Sequence, residues 1–147
     1  MAKAIYFDMD GTLADLFAVK NFRAKLETGD MSPFSEAHPL FNADEMEAQI
    51  ARLKSEGYTI GIITYIADGS AEYRKASREA KKEWLEKYFP YADEIHMIKR
   101  TTPKWKVAKI KEAILVDDSK ANREEWKLGE TIRAYRTISL VNSLATL

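Results

Sequence analysis

Ala4-Ile5-Tyr6-Phe7-Asp8-Met9-Asp10-Gly11-Thr12 is the stretch that decides the fold. Four successive apolar residues make a strand covered on both faces, because a half-exposed strand would alternate with polar residues. The run ends in two carboxylates and a glycine able to turn the chain sharply. In open α/β sheets, ligands collect just outside the carboxyl ends of such strands. A calcium loop fits poorly: an EF-hand follows a helix and carries its glycine at the sixth position, whereas Gly11 is fourth from Asp8 and a strand precedes it.

Working outward, three further apolar runs each deliver a polar group at or just past their ends. Residues 58–63 run into Thr64, residues 94–98 into Thr101-Thr102-Pro103-Lys104, and residues 113–116 into Asp117-Asp118. Helical spacing fills the gaps. Met46, Ile50 and Leu53 recur ahead of Gly57, with Asp44 and Glu47 placed as a capping box. Ala76, Ala80, Trp84 and Tyr88 fall four apart, which predicts a helix over 71–89 whose Arg74, Lys75, Arg78, Lys81, Lys82 and Lys87 form a solvated face. Further helices are expected from Ala14 onward, from Pro103 through Ile110 and from Asp118 to about Leu128, with a last strand over 131–135. Strands alternating with helices make right-handed parallel crossovers the default. The fold class is therefore α/β: a three-layer Rossmann-like sandwich around a parallel sheet of about five strands.

With 147 residues, 46% of them hydrophobic, the chain suits a single domain over 1–147 with a sizeable core. Lys plus Arg equals Asp plus Glu at 23 each, so no global field favours nucleic acid or an anionic membrane. There is no cysteine, hence no thiol nucleophile and no thiolate metal site, and His38 and His96 alone cannot build a three-histidine zinc centre. The strand beginning by Ala4 leaves no room for a leader ahead of it, and no apolar run reaches the roughly 18 residues of a membrane span. A cytoplasmic protein is expected. Residues 29–40 are rich in turn formers and too long for a simple connection, which leaves a short flap or a packed surface loop.

The order Asp-x-Asp-Gly-Thr at 8–12, Thr64, Lys104 and Asp117-Asp118 resembles the haloacid dehalogenase-like superfamily of phosphohydrolases over essentially the whole chain. Thr102-Pro103-Lys104 is similar to a Gly-Thr-Pro-Lys stretch of its small members, with Thr101 in place of the glycine. The motif through Asp15 and the segment 84–89 are similar to deoxyribonucleotidases. The resemblance implies an Mg²⁺-dependent phosphomonoester hydrolase acting through an aspartyl-phosphate. Asp8 is then the nucleophile and Asp10 the acid and base, while Thr64 and Lys104 hold the phosphoryl group beside Gly11 and Thr12. Asp8, the main-chain carbonyl of Asp10 and Asp117 are the implied metal ligands, with Asp118 just outside them.

An aspartate ionised at neutral pH suits the nucleophile's role, since it needs no activating base. Lys106 and Lys109 compete with Lys104 for the phosphate. Members with a cap domain insert it near 29–40, and that segment is too short to fold into one. The expected partner is a small phosphorylated substrate. Two alternatives stand beside this: a phosphatase of nucleic-acid ends, for which Lys99, Arg100, Lys104, Lys106, Lys109 and Lys111 supply charge, and a non-catalytic binding module. Trp84 and Trp126 read as core, and Trp105 as a substrate contact.

Overall fold

The computed structural model describes residues 3–135 and 139–147. Five parallel strands form one sheet: β1 (Lys3–Phe7), β2 (Tyr58–Ile66), β3 (Glu94–Lys99), β4 (Ala113–Asp117) and β5 (Thr131–Arg133), in the spatial order β3-β2-β1-β4-β5. The expected three-layer α/β sandwich is thus present. Because β1 lies between β2 and β4, the strand order reverses at its edge with β4, and the crevice at this switch point lies where Asp8 leaves the sheet.

The central strand divides the core. Ile5 and Phe7 point into a cluster with Met46, Ile50, Leu53 and Trp84, whereas Ala4 and Tyr6 point into a second with Ile63, Leu115 and Trp126. This period of two explains why all four are fully buried. The first cluster is covered by α3 (Ala43–Ser55), α4 (Ala71–Tyr88) and α7 (Leu140–Ala145), and the second by α5 (Lys104–Val107) and the tryptophan that ends α6 (Lys120–Glu125). Trp84 and Trp126 are both core. Trp105 packs at the edge of the second cluster, with Lys127 Nζ 4.8 Å from its ring centroid.

Several boundaries differ from the sequence expectation, each for a local reason. No helix opens at Ala14: the Met9 carbonyl accepts from both Leu13 and Ala14, and Ala14 bridges to Pro39. A single 3₁₀ turn (Leu16–Ala18) follows, then α1 (Phe22–Glu27) and α2 (Ser32–Glu36). The cap of α3 is Asn42, whose side chain accepts from the Glu45 N–H at 3.1 Å, rather than Asp44. The helix after Pro103 stops at Val107, where the N–H of Ile110 turns away to the Tyr6 hydroxyl at 3.1 Å. In α6 the cap is Ser119. Helix α7 carries no signal used in the sequence analysis; its Leu140, Val141 and Leu144 complete the first core cluster.

The far ends of the strands hold a polar cluster of their own. Glu94 is 7% exposed and lies 2.9 Å from His96 Nε2. It also accepts from the Lys109 N–H at 3.3 Å. Burial raises its pKa, but Tyr6, His96 and Lys109 as donors outweigh that and hold the carboxyl below its ordinary value of 4.5. A carboxyl lowered in the folded state stabilises the fold above its unfolded pKa, and this is lost as pH falls through the folded value. Glu94→Gln is therefore expected to lower the urea midpoint at pH 7, with the gap to wild type closing as the pH drops below 4.5. A gap unchanged in acid would show that the charge of Glu94 is not what stabilises this corner.

Candidate active site

Asp8 follows the last residue of β1 and is tied to the neighbouring strand by its own N–H, which donates to the Val116 carbonyl at 2.9 Å. The chain then folds back through Gly11 at φ +84°, and a Cβ there would stand 2.5 Å from Asp118 Oδ2 and 2.6 Å from Phe17 Cε2. Only glycine satisfies both the dihedral and the space. The turn brings Thr12 round to a buried position between two carboxylates, its Oγ1 3.3 Å from Asp8 Oδ2 and 3.3 Å from Asp118 Oδ1. Thr12 Oγ1 also accepts from the Asp118 N–H at 3.1 Å. Gly11 and Thr12 thus lie against the acidic residues, and the Thr12 hydroxyl braces the ends of β1 and β4 against each other.

Asp117 ends β4 fully buried. Its Oδ1 accepts from the Ser119 N–H at 2.9 Å, and its Oδ2 accepts from Asn122 Nδ2 at 3.0 Å and Lys104 Nζ at 2.8 Å. The same ammonium donates to Asp8 Oδ1 at 2.9 Å. Lys104 is buried at the first position of α5, while Lys106 and Lys109 are exposed. Burial alone would lower the Lys104 pKa, but the charges of Asp8 and Asp117 outweigh it and raise it, so the group is a fixed cation.

Asp8, Asp117 and Asp118 offer carboxylate oxygens that all lie within 4.8 Å of one another. Asp118 therefore joins the acidic cluster itself. Crowding shows in the pKa values. Burial and the adjacent Asp8 charge raise Asp117, with Lys104 pulling the other way. Burial first, then Asp8, pushes Asp118 up to about 7. Two buried acids and a half-buried third, with one lysine among them, make a site short of positive charge, which is the donor set a hard divalent cation takes.

The carboxylate of Asp10 is held by a different lysine. Its Oδ2 accepts from Lys81 Nζ at 2.8 Å, and the same ammonium donates to Thr64 Oγ1 at 2.9 Å and to the Tyr65 carbonyl at 2.7 Å. Lys81 is 1% exposed. This corrects its placement on the solvated face of α4. The buried stripe runs Ser77, Lys81, Trp84 and Leu85, at spacings of four, three and one, so a 3.6-residue period carries Lys81 inward where a strict spacing of four put Ala76 and Ala80. The signal was the three-residue separation from Trp84. Thr64 is buried two residues before the end of β2.

Asp8, Asp10, Thr64, Lys81 and Asp118 line a cleft of about 520 Å³. From residues 29–40, Phe34 on α2 lines the cleft, and the segment is fixed to α4 where Trp84 Nε1 donates to the Ala37 carbonyl at 2.8 Å. Phe17, Phe22, Tyr65 and Tyr73 add aromatic surface, and Arg23 and Arg100 add positive charge. Trp105 lies with the second core cluster.

No protein-family model matches the chain, and no curated protein matches it. Solved structures do. The chain superposes on a chain of the Pnkp1/Rnl/Hen1 complex with a TM-score of 0.62 at 19% identity, covering 92% of this chain and 46% of that one. A chain of the Pnkp1/Rnl/Hen1 RNA repair complex gives 0.59 at 18% identity, covering 92% and 43%. The HAD domain of the effector protein Lem4 from Legionella pneumophila gives 0.45 at 12% identity, covering 99% and 92%. The chain spans less than half the length of the first two, and at such identities the likeness is one of fold.

Proposed function

We propose that the chain is an Mg²⁺-dependent phosphomonoester hydrolase working through an aspartyl-phosphate on Asp8. The observation that carries this is the convergence, at one strand-end crevice, of an aspartate held ready beside a buried lysine, an acid two residues on, and a cluster of three carboxylates. Asp8, Asp117 and Asp118, with the carbonyl of Asp10, would hold the cation. When bound, it would offset negative charge on the phosphoryl group.

The chain's own residues carry the chemistry in two steps. A carboxylate oxygen of Asp8 attacks phosphorus, the bond to the ester oxygen breaks, and that oxygen takes its proton from Asp10. Asp10, now a carboxylate, then removes a proton from a water that attacks the same phosphorus, and the bond to Asp8 breaks to release inorganic phosphate. Thr64 accepts from Lys81, so its own hydroxyl proton is free to point at a phosphoryl oxygen. Phe34, in the segment from Gly29 to Leu40 that is anchored through Trp84, acts as a fixed side of the cleft rather than part of a lid.

A second enzymatic reading is favoured by Arg23 and Arg100 on the cleft: the scissile phosphate terminates a nucleic acid. The fold shared with a chain of an RNA repair complex supports it. Turnover of end-phosphorylated oligonucleotides that exceeds mononucleotides and falls steeply with salt would favour this reading.

Turnover of an aryl phosphate is expected to need Mg²⁺, to vanish in excess chelator, and to vanish equally in Asp117→Asn. Asparagine matches Asp117 in size, but both Asp117 oxygens accept, from Ser119 on one side and from Asn122 and Lys104 on the other, so its amide nitrogen meets a donor and the fold of the variant is checked by circular dichroism beside its turnover. Full activity in chelator would remove the metal from the mechanism.

A further inference from the structure

Beyond fixing the Thr64 hydroxyl, Lys81 is a cation to which the two chemical steps above give no part in proton transfer, and its surroundings define one. An ammonium has three donors. All three are spent: on Asp10 Oδ2 at 2.8 Å, on Thr64 Oγ1 at 2.9 Å and on the Tyr65 carbonyl at 2.7 Å. None is left for a phosphoryl oxygen. The Phe34 ring closes over it, with its centroid 5.2 Å from Nζ. On the other side of the same carboxylate, Asp10 Oδ1 is the buried side-chain atom without a hydrogen-bond partner among the described residues. Buried polar atoms are nearly always paired, and one left open in a site asks for an occupant.

We propose that Lys81 is a positioning residue for the acid: it pins Asp10 through Oδ2, which leaves the buried, unpartnered Oδ1 as the atom that carries the proton for the departing oxygen. The lysine sits on α4, the helix whose Trp84 holds the Phe34 segment at Ala37. The Phe34 side of the cleft and the position of the acid are therefore set by one rigid element. This rests on the hydrolase reading and adds to it the device that orients its acid.

A group that orients the acid matters only when the leaving oxygen needs a proton. The test compares kcat/KM, which reports the first irreversible step, for a nitrophenyl phosphate, whose leaving anion is stable unprotonated, and for a simple alkyl phosphate, whose leaving oxygen must be protonated. For Lys81→Met the alkyl ester is expected to lose at least about a hundredfold, the scale of general acid catalysis, and the nitrophenyl ester no more than about fivefold. Asp10→Asn should show the same split, and the double variant should be no worse than the single ones, because both remove one function.

Lys81→Arg keeps the charge and the donors and should recover part of the alkyl-ester loss. It also decides the matter if Lys81→Met does not fold, since a smaller split of the same sign supports the proposal and a uniform loss overturns it. A uniform loss on both esters in Lys81→Met, or losses that add in the double variant, would likewise overturn the role of Lys81 while leaving the hydrolase standing. A wild-type protein inert toward both esters would overturn the hydrolase reading and this proposal together.

Discussion

Asp8→Asn is expected to lower phosphatase turnover by at least about a thousandfold, or ~4 kcal/mol of transition-state stabilisation, with the fold unchanged. Asparagine has nearly the same shape, and its carbonyl can still accept from Lys104, which keeps its second bond to Asp117 at 2.8 Å. What disappears is an anionic oxygen able to form a bond to phosphorus. Steady-state assay of an aryl phosphate checks the rate. Acid-quenched wild-type protein should carry the mass of one phosphoryl group on the peptide containing Asp8, and the variant should carry none. Turnover within tenfold of wild type would end the covalent mechanism.

Lys104→Ala should have the next largest effect, and it should show in stability as well as in rate. The ammonium is 3% exposed and lies between Asp8 at 2.9 Å and Asp117 at 2.8 Å. Taking it away leaves buried carboxylates facing one another, and removing one partner of such a group costs about 3 to 5 kcal/mol. Thermal unfolding in chelator should therefore drop sharply. Millimolar Mg²⁺ should restore part of the loss, because a cation binding only the folded state stabilises it. Turnover should fall by more than tenfold even with the metal present, at least ~1.4 kcal/mol, whereas Lys106→Ala and Lys109→Ala, at exposed positions, should be mild. Loss of rate at Lys109 with Lys104→Ala unaffected would move the phosphate-binding role along the chain.

What could be read in advance and what could not follow from the physics of the elements. Asp8, Thr64 and Asp117 were legible because each follows a mainly apolar run, and a buried parallel strand has a defined end. Lys104 was legible from the proline before it, which fixes where the helix can start. Lys81 was not, because a lysine among five other basic residues on a helix looks like a solvated face until the 3.6-residue period is followed through Ser77 and Trp84. The same holds for the start of α3, where Asn42 rather than Asp44 takes the cap: both are good capping residues two positions apart, and only the path of the chain out of Pro39 chooses between them. A helix is expected from Ala14 onward because the pattern does not show that the Met9 carbonyl consumes the N–H groups of Leu13 and Ala14.

The lysine that neutralises Asp8 lies 96 residues after it in the chain. At a synthesis rate of roughly 5 to 20 residues per second, Asp8 leaves the ribosome about 5 to 20 s before its counter-charge. Throughout that interval β1 has no β4 to pair with, and Asp8 is an ordinary solvated aspartate. Assembly of the acidic crevice must therefore wait for contacts that are long in sequence, so a nascent chain can present the front of the motif to the cell without presenting its chemistry.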